Sequence, residues 1–271
     1  GTGKTVLINQ IIKPLVLGKG YYISGKVDQL RQNIPYAPFI DAFRSLIMQL
    51  MTENEKRLSN LKKTILQSLR KNCSVMTEFI PELEYIIGKQ PPADILSPRE
   101  AENRFSIILR EFIGIFTCKN HPLVIFLDDL QWVDTACIKL INDLINDIRL
   151  NSLLLIFAYR HDEITEDHLL NKLLRHTNSG QSNITHIHLT PLDWKNTNRM
   201  IADALHSDLE NVALLSEILY RESGGNPFFL KQLLRMIYDK KLLYFNVEDG
   251  SWKWDINTTQ NLNPGNDVQQ L

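Results

Sequence analysis

His121-Pro122-Leu123-Val124-Ile125-Phe126-Leu127-Asp128-Asp129 is an apolar run without alternation that closes on two acids. An alternating strand would leave one face to water, so an unbroken run predicts a strand buried on both faces of a parallel sheet. Such sheets bind ligands at the carboxyl ends of their strands, where these acids would stand. There Asp128 can hold Mg²⁺ through its water shell, and Asp129 can orient or polarise an attacking water. Taken singly, the run also fits a buried strand followed by an acidic turn.

The second decisive stretch opens the chain. Gly1-Thr2-Gly3-Lys4-Thr5 supplies the last five residues of the phosphate-binding pattern G-x-x-x-x-G-K-[ST], whose first three residues are missing. In an intact loop the backbone N–H groups and the start of the following helix wrap the phosphates of a nucleotide. Lys4 reaches the β- and γ-phosphates and the Thr5 hydroxyl binds Mg²⁺. Neither motif is specific alone, but together at this separation they predict nucleotide binding. A third strand, Leu153-Leu154-Leu155-Ile156-Phe157-Ala158-Tyr159, ends in Arg160, which places a cation at the same sheet edge. Its partner is either a γ-phosphate, whose transferring charge it would stabilise, or a neighbouring acid, Asp162 or Glu163.

Composition narrows the class. The 271 residues carry a net charge of −1 and 44% hydrophobic residues, and they contain no apolar stretch of about twenty that could cross a bilayer. A cytoplasmic location is expected. The balanced charge gives no electrostatic footprint for nucleic acid. Cys73, Cys118 and Cys137 are odd in number and far apart, so they are expected to be reduced, buried small hydrophobes rather than a disulfide framework or zinc site. His186 and His188 share a face of the expected strand Thr185 to Leu189 but lack companions at ligand spacing, which favours a plain strand.

Strands near Tyr21, Leu123, Leu153 and Thr185 separated by helices predict an α/β parallel sheet covered on both sides. Helices are expected at 36–51, 53–72 and 76–87. A further helix starts at Ser97-Pro98-Arg99-Glu100, a capping box with proline at the first helical position. Its core face would be Phe105, Ile108, Leu109, Phe112 and Phe116. Asp134 caps the next helix, which buries Leu140, Ile141, Leu144, Ile145 and Ile148. Residues 191–240 read as almost wholly helical, with Ser223-Gly224-Gly225-Asn226-Pro227-Phe228-Phe229 as a turn into a helix. Leu243, Phe245 and Val247, then Trp252, Trp254 and Ile256, alternate around Asp249-Gly250 and predict a β-hairpin, part of a winged helix. Glu248 and Asp249 on that hairpin argue for packing rather than DNA contact.

Taken together, these residues resemble the STAND-type ATPases of the AAA superfamily. The closest likeness is to the origin-recognition-like AAA module of large bacterial, especially cyanobacterial, hybrid kinases. The likeness covers Gly3-Lys4-Thr5, Tyr21 to Gln29, Asn33-Ile34-Pro35-Tyr36, Leu127 to Asp134, Ala158-Tyr159-Arg160 and Gly224 to Phe229. It implies three parts: a P-loop ATPase core over 1–190 without its first strand, a helical lid over 191–240, and the start of a winged-helix-like hairpin region over 241–271. It also implies that ATP and Mg²⁺ are the cofactors. Asp128 and Asp129 take the Walker B roles, Arg160 acts as a sensor, and Pro227 packs against the adenine. Lys4, Asp129 and Arg160 form the catalytic set, and Thr5 and Asp128 the metal ligands. In this superfamily the missing strand is central, so these residues alone are expected to fold poorly.

The function expected is an ATP-binding, slowly hydrolysing switch, with ATP and ADP as ligands and attached kinase and sensor domains as partners. Self-association is a further expectation. The alternatives are a winged-helix transcription regulator or scaffold that uses ATP structurally, or a small-molecule phosphotransferase with its acceptor pocket in 36–96.

Overall fold

Among the described residues, three parallel strands lie in the order of the chain: β1 (Tyr21–Lys26), β2 (Leu123–Asp128) and β3 (Leu153–Phe157), with β2 in the middle. Tyr21 pairs with Leu123 and Lys26 with Asp128, while on the other side Leu123 pairs with Leu153 and Leu127 with Phe157. Because a middle strand points alternate side chains to both layers, every residue from Leu123 to Leu127 is buried. The unbroken apolar run is therefore explained by its position in the sheet. The computed structural model describes residues 3–8, 10, 20–31, 34–119, 121–177 and 184–255. It divides into two units, Gln10–Thr185 and Gly1–Asn9 with His186–Leu271.

In the sheet unit, helix α1 (Ala37–Leu50) packs on β1, and a Cβ on Gly25 would lie 2.0 Å from the Pro38 carbonyl oxygen. Only glycine permits that approach. Helix α2 (Glu55–Leu69) follows with an Asn54 cap. The single helix expected over 76–87 is instead α3 (Cys73–Phe79), a 3-10 turn (Pro81–Leu83) and α4 (Glu84–Ile87). Pro81 has no N–H to continue the ladder, which breaks the helix although the apolar spacing runs through it. Helix α5 (Pro98–Ile115) begins as expected, with the Ser97 N–H donating to Glu100 Oε2 at 3.2 Å. Its buried face joins Phe43, Phe112 and Phe116 in an aromatic cluster with ring centroids 5.2–5.6 Å apart.

Helix α6 (Thr135–Asn146) is capped by Asp134, whose side chain accepts the Cys137 N–H at 2.8 Å. Leu140, Ile141 and Leu144 are buried as expected, but Ile148 is 84% exposed because the helix has already ended. Cys73 and Cys137 are buried hydrophobes; Cys118 departs from the expectation and is exposed, beyond the end of α5. Burial, with Asp134 nearby, pushes the Cys137 thiol far up from its ordinary range. Helix α7 (Leu169–Thr177) is the last described helix of this unit.

Residues 184–190 form no strand, contrary to the expectation for Thr185 to Leu189. The alternation is present, but among the described residues no strand pairs with it, and a β-strand is stabilised through its ladder. The helical unit contains α8 (Trp194–Leu205), α9 (Ala213–Ser223) and α10 (Pro227–Asp239), followed by the antiparallel hairpin of β4 (Leu243–Asn246) and β5 (Ser251–Trp254). Ile201, Leu215, Leu219, Leu230, Ile237 and Leu243 share its core. Val247 belongs to the exposed turn rather than to a strand, and Ile256 lies outside the described residues.

Candidate functional site

The carboxyl end of β2 carries the two acids. Asp128 Oδ1 accepts the Asp129 N–H at 2.9 Å, and Asp129 then adopts a left-handed backbone, φ 56° and ψ 41°. Left-handed non-glycine residues are uncommon, and aspartate is among the few that tolerate the conformation. The parallel register brings the end of β1 alongside, where Lys26 Nζ stands 3.3 Å from Asp129 Oδ2. Lys26 is 71% exposed and Asp129 only 14%, so the acid is set into the sheet edge while the cation covers it from solvent.

At the end of β3, Ala158 continues the ladder with its N–H on the Leu127 carbonyl, and Leu130 N–H returns to the Ala158 carbonyl. This ties the turn after β2 to the residues before Arg160. The Arg160 guanidinium bonds Glu163 Oε1 at 2.8 Å, which is one of the two partners left open by the sequence. Gln131 also meets this edge, with its amide on Asp129 and on the Arg160 main chain. Beside it an open cleft of about 440 Å³ is lined by Ser24, Lys26, Asp28, Asp41, Ser45 and Trp132.

In the other unit, Lys4 to Ile8 are helical, and the Gly3 carbonyl accepts the Leu7 N–H at 3.0 Å. Gly3 has φ 92°, Lys4 is half-buried and Thr5 is exposed. Gly1 and Thr2 lie outside the described residues, as does Asn33 of the resembling stretch. Pro227 occupies the first turn of α10, and Asn226 caps it by accepting the Phe228 N–H at 3.0 Å. The preceding turn is clamped to the chain before α8: Leu192 N–H donates to the Gly225 carbonyl at 2.8 Å.

One unit thus brings together Lys26, Asp128, Asp129, Gln131 and Arg160, and the other contains Lys4, Thr5 and Pro227. The Asp128 carboxylate and, in the other unit, the Thr5 hydroxyl are each oxygen donors of the hard kind that Mg²⁺ prefers. The hairpin offers no free basic residue among those described, since Lys253 Nζ pairs with Asp249 at 3.2 Å.

Residues 1–156 match the family described as the AAA ATPase domain, a span that contains both the Lys4-Thr5 and the Asp128-Asp129 motifs. The chain belongs to the AAA ATPase family. Arg160 and Pro227 fall beyond that match, but curated relatives align over nearly the whole chain. Hybrid signal transduction histidine kinase G of Dictyostelium discoideum is 27% identical over 96% of it. Peroxide stress-activated histidine kinase mak2 of Schizosaccharomyces pombe is 26% identical over 94%. The chain spans only 9% and 12% of the lengths of those two proteins. No solved structure matches the chain significantly. No described helix is long and apolar enough to cross a membrane.

Sequence reasoning did not single out Lys26 or Gln131 for a role. Lys26 could have been found from its place at the end of the first strand, because parallel strands of matched length bring their last residues together. Gln131 carries no such signal.

Proposed function

We propose that this AAA ATPase domain is a STAND-type module that binds ATP, hydrolyses it slowly and works as a switch inside a multidomain cytoplasmic sensor kinase. The observation that carries the reading is the end of β2, where Asp129 is held in a left-handed backbone beside Asp128. The family match that joins these acids to Lys4 and Thr5 supports it.

In this reading the backbone of Gly1, Thr2 and Gly3 and the start of the following helix hold the phosphates. Lys4 balances charge on the β- and γ-phosphates. Thr5 and Asp128 would hold Mg²⁺, which when bound neutralises charge on the phosphoryl group. Asp129 orients the attacking water. Arg160 leaves Glu163 for the γ-phosphate; the existing pair is exposed and therefore cheap to exchange, at about 0–1 kcal/mol. Pro227 supports the adenine from the helical lid. Exchange of ATP for ADP then shifts the populations of attached kinase domains, because the two nucleotides differ in what they offer Arg160. Self-association belongs to the same proposal.

Calorimetry of Mg-ATP binding by the full-length protein and its Lys4→Ala variant tests the reading. Saturable binding that the variant loses is the expected result. Equal binding by both, or none by either, would sink it.

A further inference from the structure

Gln131 is 5% exposed and sits in the 3-10 turn Leu130–Trp132 that follows β2. A buried primary amide must satisfy a carbonyl oxygen and two N–H groups. Its Nε2 donates to Asp129 Oδ1 at 3.1 Å, and its Oε1 accepts the Arg160 main-chain N–H at 3.3 Å. A carboxylate accepts and a main-chain N–H donates, so turning the amide over would break both bonds. The turn that carries Gln131 is itself pinned. Leu170 N–H donates to His168 Nδ1 at 3.1 Å, which puts the imidazole proton on Nε2, and Nε2 donates to the Gln131 carbonyl at 2.9 Å.

The Asp129 carboxylate is therefore held at both oxygens, by Lys26 from β1 and by Gln131 from the turn after β2. The Lys26 ammonium is 71% exposed, whereas the Gln131 amide is planar and its residue is 5% exposed. Of the two, only Gln131 also touches the main chain of Arg160.

We propose that Gln131 is a positioning residue that couples Asp129 to Arg160, so that the acid at the end of β2 and the arginine after β3 respond together to a γ-phosphate. This rests on the nucleotide reading above. A displacement of the Arg160 backbone pulls on Oε1, and the rigid amide passes it to the carboxylate that orients water. Loss of the amide leaves nucleotide binding to the other groups and frees the acid to turn.

The test uses the full-length protein with Gln131→Leu, the nearly isosteric Gln131→Glu, Arg160→Ala, and the double variant Gln131→Leu with Arg160→Ala. Mg-ATP affinity, steady-state phosphate release and hydrogen exchange at the Arg160 amide are measured for each. Gln131→Leu is expected to keep its affinity and KM within about twofold while kcat falls about ten- to a hundredfold. Its Arg160 amide exchanges faster. Gln131→Glu retains the acceptor for that amide but sets an oxygen against Asp129, so kcat falls while amide protection stays. In the double variant the losses are not multiplied, as expected for groups acting as one unit. A kcat within twofold of the unaltered protein in both Gln131 variants, or losses that multiply in the double variant, would overturn the coupling alone. Absence of ATP binding by the unaltered protein would overturn the nucleotide reading with it.

Discussion

Replacing Gly225 by alanine should cost far more than the same change one residue earlier. Both glycines have a left-handed backbone, φ 73° at Gly225 and φ 58° at Gly224, so each substitution carries a conformational cost of about 1 kcal/mol. They differ in what the new methyl group meets. At Gly224 nothing lies within 4 Å, but at Gly225 the Cβ would stand 2.0 Å from the Leu192 carbonyl oxygen and 3.1 Å from the Tyr220 ring. Main chain cannot swing aside as a side-chain tip can. Relief requires Leu192 and Gly225 to part, which sacrifices the hydrogen bond between them, about 1 kcal/mol. It also disturbs the packing of α8 on α9, about 1–3 kcal/mol. Gly225→Ala is therefore expected to destabilise by about 3–5 kcal/mol and Gly224→Ala by about 1 kcal/mol. Urea unfolding followed by tryptophan fluorescence reports on this unit, since Trp194, Trp252 and Trp254 are three of the four tryptophans. Equal losses in the two variants would refute the reasoning, because the steric difference is its only basis.

Lys26→Met should lower stability by no more than about 1 kcal/mol, because the ammonium is 71% exposed even though Asp129 is only 14% exposed; differential scanning calorimetry checks this. Phe112→Ala removes a fully buried ring from the aromatic cluster and is expected to cost about 3–5 kcal/mol in urea unfolding followed by far-ultraviolet circular dichroism, which reads the helices of the sheet unit. Arg149 bonds Asp147 and lowers its carboxyl from the ordinary 3.8 to about 2. A depressed folded value means that this contribution is complete above the ordinary value and is lost as pH falls from about 4 through 2. Arg149 is 69% exposed, so solvent screening keeps the contribution small. Stability measured at pH 5 and pH 3 should accordingly fall slightly more in the unaltered protein than in Asp147→Asn.

The parts of the fold that were legible in the sequence are those decided by local chemistry. Continuous burial of β2 follows from Leu123 to Leu127, and Ser97 with Glu100 and Asp134 mark helix starts because their side chains bond neighbours three residues away. The helix break at Pro81 was written in one residue but masked by apolar spacing that continued through it. Thr185 to Leu189 has the pattern of a strand, yet pattern cannot supply the neighbour a ladder requires. In the site, the two acids and Arg160 were recognisable from their places at strand ends. Lys26 on Asp129 depends on the register of strands about a hundred residues apart. Gln131 depends on two partners that meet only after β2 and β3 have paired.

The left-handed backbone at Asp129 also decides which alleles at this position would be informative in a cell. Asparagine tolerates that backbone nearly as well as aspartate does, so Asp129→Asn alters the charge while preserving the bend of the chain. Alanine or a β-branched residue would disturb the bend as well, and a phenotype could then arise from a lowered amount of protein rather than from lost chemistry. Genetic work that tests the role proposed for Asp129 should therefore begin with asparagine, and should treat other replacements at this position as folding variants until their abundance has been measured.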